Sequence, residues 1–289
     1  MEPVGLSLSA LQERIKHLRA SMPISEGEDG SRPSQKQTAN YECPKCKDEL
    51  GFLVPVKTSY FVDGETKEYE THEWRQCACV EERRRKRLFK SSHITEAFQQ
   101  ISFDSFVLDG RPACIHDAYY SVRHWLDVFD SIRHTARNSI ALLGEPDTGK
   151  THLLIAASNV LINRGVSVLY FPWVEGSNEL REAVAKKEDV QSRIDAMKTV
   201  DVLYIDDLYK GRKEPTEFQQ EWLFEVVNYR YLNHLPLMVS SELFVDQLIK
   251  FDKGIARRIY EPAQTHKVDM VLGKDEVGMV LNYNIGREH

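Results

Sequence analysis

The sequence predicts a parallel α/β fold organised around a phosphate-binding loop, with a small cysteine-bearing module in front of it. Three observations carry this. Residues 144–151 read GEPDTGKT between the apolar run 139–143 and a helical stretch opening at His152. A second apolar run, 200–205, ends in the paired carboxylates Asp206 and Asp207, and Cys43, Cys46, Cys77 and Cys79 form two tight pairs upstream of both. The first stretch matches G-x-x-x-x-G-K-[ST], in which backbone N–H groups cradle phosphates, the lysine reaches the β/γ-phosphates and the hydroxyl ligates Mg²⁺. Gly144 and Gly149 allow backbone angles and close approach that a Cβ would forbid, and the following helix turns its positive pole toward the anion. The candidate phosphate-binding residues are therefore Gly144, Glu145, Pro146, Asp147, Thr148, Gly149, Lys150, Thr151 and His152.

With 289 residues and 42% apolar content, the chain can bury a substantial core and is expected to form two domains. Its formal charge of −6 argues against a protein that is basic throughout, so contact with nucleic acid would come from local basic patches. No apolar run approaches the length of a membrane span and no signal-peptide profile is present, which reads as cytoplasmic and without a membrane partner. In a reducing compartment, four of the five cysteines in two tight pairs point to a metal rather than to disulfides.

In chain order, Ser9 and Gln12 have the capping-box form, and Leu8, Leu11, Ile15, Leu18 and Met22 recur at intervals of three and four. The spacing predicts a short amphipathic helix stopped at Pro23, followed by a polar linker to residue 40. The stripe can pack on its own domain or dock on a partner. Cys43-Pro44-Lys45-Cys46 has the spacing of a zinc knuckle; Cys77-Ala78-Cys79 is tighter, and together they make a candidate Cys₄ zinc site in which His72 could replace one sulfur. Between them, apolar runs at 51–56 and 59–62, the turn pair Asp63-Gly64, and alternation over 66–74 predict a β-hairpin ribbon. Cys114 stands apart as a small core residue. The run Arg83-Arg84-Arg85-Lys86-Arg87 lies in a helical stretch with Glu81 and Glu82, and serves either as a solvated face or as a phosphate contact.

A helix over 117–133 leads into the loop strand. Beyond the loop come a helix to about 163, a strand at 166–171, a charged helical region over 178–198, and the acidic strand. There Asp206 can hold Mg²⁺ through its water shell, and Asp207 can orient or deprotonate an attacking water. A helix from Pro215 to 231, a strand at 236–239 ending in Ser240-Ser241, helices at 245–251 and from 254, and a strand at 266–272 complete the pattern. A strand lying between the acidic and phosphate strands would place Ser240 or Ser241 near the γ-phosphate.

The stretches GEPDTGKTHLL, VLYIDDL, LMVSSEL and ARRIYE, in this order over residues 98–289, resemble the bacterial and phage helicase loaders of the DnaC and DnaI type among the AAA+ ATPases. The cysteine module resembles those loaders' N-terminal zinc domain. The resemblance implies a five-stranded parallel AAA+ sheet without a lid, preceded by an N-terminal helix with its linker (1–40) and a zinc domain (41–95) that contacts the helicase. It implies ATP and Mg²⁺ bound by Lys150, Thr151 and Asp206, zinc on the four cysteines, Asp207 and Ser241 in catalysis, and Arg258 reaching a neighbouring subunit's nucleotide. Arg257 stands where the family has serine, so either arginine of the pair can be that finger. The implied partners are a DnaB-type replicative helicase, single-stranded DNA and further copies of the chain. The alternatives are a transposition helper ATPase or a zinc-containing DNA-binding adaptor in which nucleotide is structural.

Overall fold

The computed structural model of the protein describes residues 41–62, 65–211 and 214–273, and the chain divides into two compact units, Met1–Asp48 and Glu49–His289. The amphipathic stripe of residues 8–22, its linker, the Asp63-Gly64 turn and the tail that bears on the lid lie outside the described residues. In the first unit, described from Tyr41, the Asp48 carboxylate accepts hydrogen bonds from the backbone N–H groups of Glu42 (3.0 Å) and Cys43 (2.9 Å), closing the turn around Cys43-Pro44-Lys45-Cys46.

The second unit opens with the ribbon. Strands β1 (Gly51–Val62) and β2 (Glu65–Gln76) pair antiparallel in one unbroken register from Gly51↔Gln76 to Val62↔Glu65. The strands are longer than the apolar runs suggested because Lys57 and Thr58 continue β1 opposite Glu70 and Tyr69, and such opposite-charge and aromatic–threonine pairs sustain a ladder. The ribbon lies largely in solvent: Phe61 is 72% and Trp74 57% exposed. Helices α1 (Cys79–Ser91), α2 (Glu96–Gln99) and α3 (Ala113–Ile132) follow. The basic run lies on α1, where Arg85 pairs with Glu82 and Arg84 donates to the carbonyl of Gly165.

The sheet is built from β3 (Ile140–Gly144), β4 (Val168–Pro172), β5 (Val202–Asp206), β6 (Leu237–Ser241) and β7 (Lys267–Met270). All neighbours are parallel, in the spatial order β4-β5-β6-β3-β7. The helices of the crossovers are α4 (Lys150–Asn163), α5 (Trp173–Ala185), α6 (Gln191–Thr199), α7 (Glu217–Leu232), α8 (Val245–Phe251) and α9 (Lys253–Ala263). Strands β3, β5 and β6 are buried on both faces, and their period of two divides the core between those faces. Ile140, Leu142, Val202, Tyr204 and Met238 join α3 and α4 on one side; Ala141, Leu143, Leu203, Ile205, Leu237 and Val239 join α7 and α9 on the other. Because β6 lies between β5 and β3, the acidic pair, the serine pair and the phosphate loop emerge side by side at the carboxyl edge of the sheet.

The region expected to be helical over 178–198 is two helices, not one. Trp173–Ala185 starts earlier than its weak helix formers Gly176, Ser177 and Asn178 suggested, since the burial of Trp173 outweighs their propensity. It ends at Ala185, and beyond it Lys187 holds a left-handed φ of 58° while Glu188 N–H donates to Ala183 O. This is a Schellman-type stop without its usual glycine.

Candidate functional site

The loop between β3 and α4 is tightly constrained. Gly144 has φ +123° and Gly149 φ +89°; a Cβ at Gly144 would stand 2.4 Å from the Met270 carbonyl oxygen, and one at Gly149 2.6 Å from the Phe106 ring. Both glycines are therefore required by angle and by space. Glu145 N–H donates to Met270 O, and the buried Thr148 hydroxyl donates to Glu145 O. Lys150 opens α4 and is buried, with Nζ 2.9 Å from Gly144 O and 2.6 Å from Glu145 O. Burial lowers its pKa, against the opposing pull of the carboxylates of Asp207 and Glu242. Pro146, Asp147 and His152 line the cleft beside it; His152 Nε2 lies 3.1 Å from Ser102 O and 3.2 Å from Ser105 Oγ, and its ring packs edge-on against Phe106.

Asp206, at the end of β5, is buried beneath the loop and accepts four hydroxyl hydrogen bonds. Thr151 Oγ1 (3.0 Å), Tyr204 Oη (2.5 Å) and Ser240 Oγ (2.5 Å) donate to Oδ1, and Tyr170 Oη (3.0 Å) donates to Oδ2. Register explains the tyrosines: Tyr170 and Tyr204 are direct partners across β4 and β5, and both lie two residues before Pro172↔Asp206 on the same face. Burial and then the Asp206 charge raise both phenol pKa values, so the two remain donors. Of the two serines, Ser240 joins the acidic pair: its oxygen accepts Asp207 N–H at 2.8 Å and donates to Asp206. Ser241 Oγ turns away to donate to Leu208 O and to accept Leu243 N–H. Ser240, not Ser241, is thus the serine bonded to the acidic pair.

Asp207 lies at the mouth of the cleft, where Lys210 Nζ is 2.9 Å from its Oδ2 and 2.9 Å from Glu242 Oε1. The cleft has a volume of about 300 Å³ and brings together Lys150, Thr151, Asp207, Lys210 and Glu242, roofed by Phe106 and Arg111. Volume and polar convergence suit a small charged ligand. The Arg111 guanidinium stands 5.6 Å from the centre of the Phe106 ring. Lys210 and Arg111 carry no motif signal, and only the fold reveals their place.

Neither Arg257 nor Arg258 lines this cleft. Arg258 Nε donates to Asn228 Oδ1 at 2.7 Å, and its guanidinium stacks 4.6 Å from the centre of Phe224. Arg257 is the more exposed of the pair, held at 2.7 Å by Glu261 one turn on.

Cys43 and Cys46 belong to the first unit and Cys77 and Cys79 to the second; by type and paired spacing these four thiols suit a tetrahedral zinc, whose Zn–S bonds are about 2.3 Å. His72 is opposite Pro55 in the ribbon and outside the group, and Cys114 packs against the α3–α4 core. The hard oxygens of Thr151 and Asp206 fit Mg²⁺, and the loop fits a polyphosphate.

A family profile described as IstB-like ATP binding protein matches residues 124–256. The phage-like element PBSX protein XkdC of Bacillus subtilis (strain 168) is 39% identical over 241 residues, spanning 82% of this chain and 85% of that protein. The chain belongs to the IstB/DnaC-like AAA+ family. Among solved structures, the DnaC helicase loader superposes with a TM-score of 0.52 at 17% identity, over 61% of this chain and 100% of that one. Replication initiator DnaA bound to AMPPCP and single-stranded DNA gives a TM-score of 0.52 at 21% identity, over 67% of this chain and 56% of that one. These likenesses are of fold: the IstB/DnaC-like AAA+ chain shares their P-loop NTPase sheet. Among the described residues, no helix is long and apolar enough to cross a membrane.

Proposed function

We propose that this IstB/DnaC-like AAA+ protein is an ATP-dependent loader that grips a DnaB-type replicative helicase and delivers it to single-stranded DNA. The observation that carries the nucleotide part is the Thr151–Asp206 hydrogen bond beneath a double-glycine loop, with Asp207 beside it in one cleft. Loop amides and Lys150 hold the β- and γ-phosphates. Thr151 and Asp206 would hold Mg²⁺, which would supply neutralisation of phosphate charge when bound. Ser240, bonded to both acids, fixes their spacing, and Asp207 orients the attacking water. Arg257 and Arg258 lie outside the cleft of their own chain and are available to serve a neighbouring copy. Hydrolysis is then a slow switch that ends the loader's hold. Residues 41–95 with their four cysteines form a zinc domain that, together with the helix of 1–40, contacts the helicase; residues 96–289 form the ATPase domain that meets DNA. The likeness of fold to the DnaC helicase loader supports this reading. A second reading, compatible with the match to the IstB-like profile, is a transposition helper, which would bind a transposase instead.

Co-purification with a DnaB-type helicase separates the two. The full chain should carry about one zinc and retain the helicase. The Cys43→Ser, Cys46→Ser double variant should lose both. A full chain that ignores the helicase, or a zinc-free variant that binds it undiminished, contradicts the proposal.

A further inference from the structure

The turn after β5 is shaped to return one cation to the cleft. Asp207 and Tyr209 hold left-handed φ values of +54° and +64°. For residues other than glycine this conformation is uncommon, and it persists only where the surroundings over-determine it. Here they do. Leu208 and Tyr209 are buried beneath the turn, Leu208 N–H donates to Ser240 O, and Asp207 N–H donates to Ser240 Oγ. Lys210 N–H then donates to Asp207 O at 2.9 Å, and the side chain doubles back so that its ammonium bridges Asp207 and Glu242. Lys210 itself is 44% exposed, so packing does not require this aim.

Charge gives the aim a purpose. Asp207 and Glu242 stand at the mouth of the cleft that Lys150 closes from below, and a terminal phosphate entering between them would meet two carboxylates. A cation between those carboxylates offsets that repulsion directly, and Lys210 is there. Its bonds to the two acids hold its pKa above the ordinary lysine value against the lowering effect of burial, so the ammonium is retained.

Resting on the nucleotide reading above, we infer that Lys210 distinguishes a triphosphate from a diphosphate. Its ammonium leaves Asp207 for the terminal phosphate, which both anchors that phosphate and frees the Asp207 carboxylate to hold water. In the absence of that phosphate, Lys210 occupies Asp207 and keeps the site idle.

The test is the affinity of a nonhydrolysable ATP analogue relative to ADP, both with Mg²⁺, measured by calorimetry on the full chain. Lys210→Met should weaken the analogue roughly tenfold or more, the value of a hydrogen bond to a charged group, while ADP stays within about twofold. Lys210→Arg should keep most of the preference, and ADP binding reports that each variant is folded. Equal weakening of both ligands, or no change in either, overturns the inference and leaves Lys210 as a turn brace. A wild-type chain that binds neither ligand overturns the nucleotide reading itself, and this inference with it.

Discussion

Asp206 gathers hydroxyls from three strands and the loop helix onto one carboxylate, and only part of that gathering could be read in the sequence. Thr151 and Asp206 announce themselves through GKT and through an apolar run ending in two acids. Tyr170 and Tyr204 do not, because their role depends on register: each lies where pairing of β4 with β5 raises its hydroxyl to Asp206. The choice between Ser240 and Ser241 depends likewise on which face of β6 meets β5. Lys210 reaches the cleft only through a turn whose left-handed angles fall on aspartate and tyrosine, residue types that do not signal them. The arginine of the Ser-Arg-like pair expected to act across subunits, Arg258, is engaged within its own chain by Asn228 and Phe224.

His266 carries a residue-scale prediction of a different kind. Its ring is buried, neither nitrogen has a hydrogen-bond partner, and His124 lies 5.5 Å away centre to centre. Burial first, and then the His124 charge, lower its pKa below the ordinary 6.5. The unfolded chain therefore binds the proton more readily than the folded one, and stability is lost as pH falls below about 6.5, levelling off below the folded pKa. Urea midpoints taken between pH 7.5 and 5.5 should fall with pH, and His266→Phe should flatten that fall. An unchanged slope in the variant would assign the acid sensitivity elsewhere.

Among the elements, α7 shows how local chemistry supports the core. Thr216 Oγ1 accepts Gln219 N–H while Gln219 Oε1 accepts Thr216 N–H, a reciprocal capping box at the start of the helix that buries Trp222, Leu223, Val226 and Val227. Thr216→Ala should cost about 1 kcal/mol of stability in chemical denaturation, and Thr216→Gly only a few tenths. Equal losses from the two would mean that the cap is not what the threonine contributes. Strand positions were legible to within about two residues because both-face burial leaves unbroken apolar runs. The split of 178–198 was not, since its stop uses Lys187 in the conformation that glycine usually signals.

For the molecule as a whole, the order β4-β5-β6-β3-β7 is the decisive arrangement, because it sets the loop, the serine strand and the acidic strand at one edge of a parallel sheet. The order of motifs along the chain anticipated this, with the strand of 236–239 expected between the other two. The two cysteine pairs, thirty residues apart in sequence, could be read as ligands by type and spacing, and the long ribbon between them accounts for the gap. Whether this edge grips a nucleotide and its metal is decided by ATP binding to the full chain with and without Mg²⁺, alongside Lys150→Ala. The expected result is saturable binding that Mg²⁺ strengthens and that the variant loses at least tenfold, in keeping with the value of a charged contact. No affinity for ATP in the presence of Mg²⁺, or equal affinity in the variant, would contradict it.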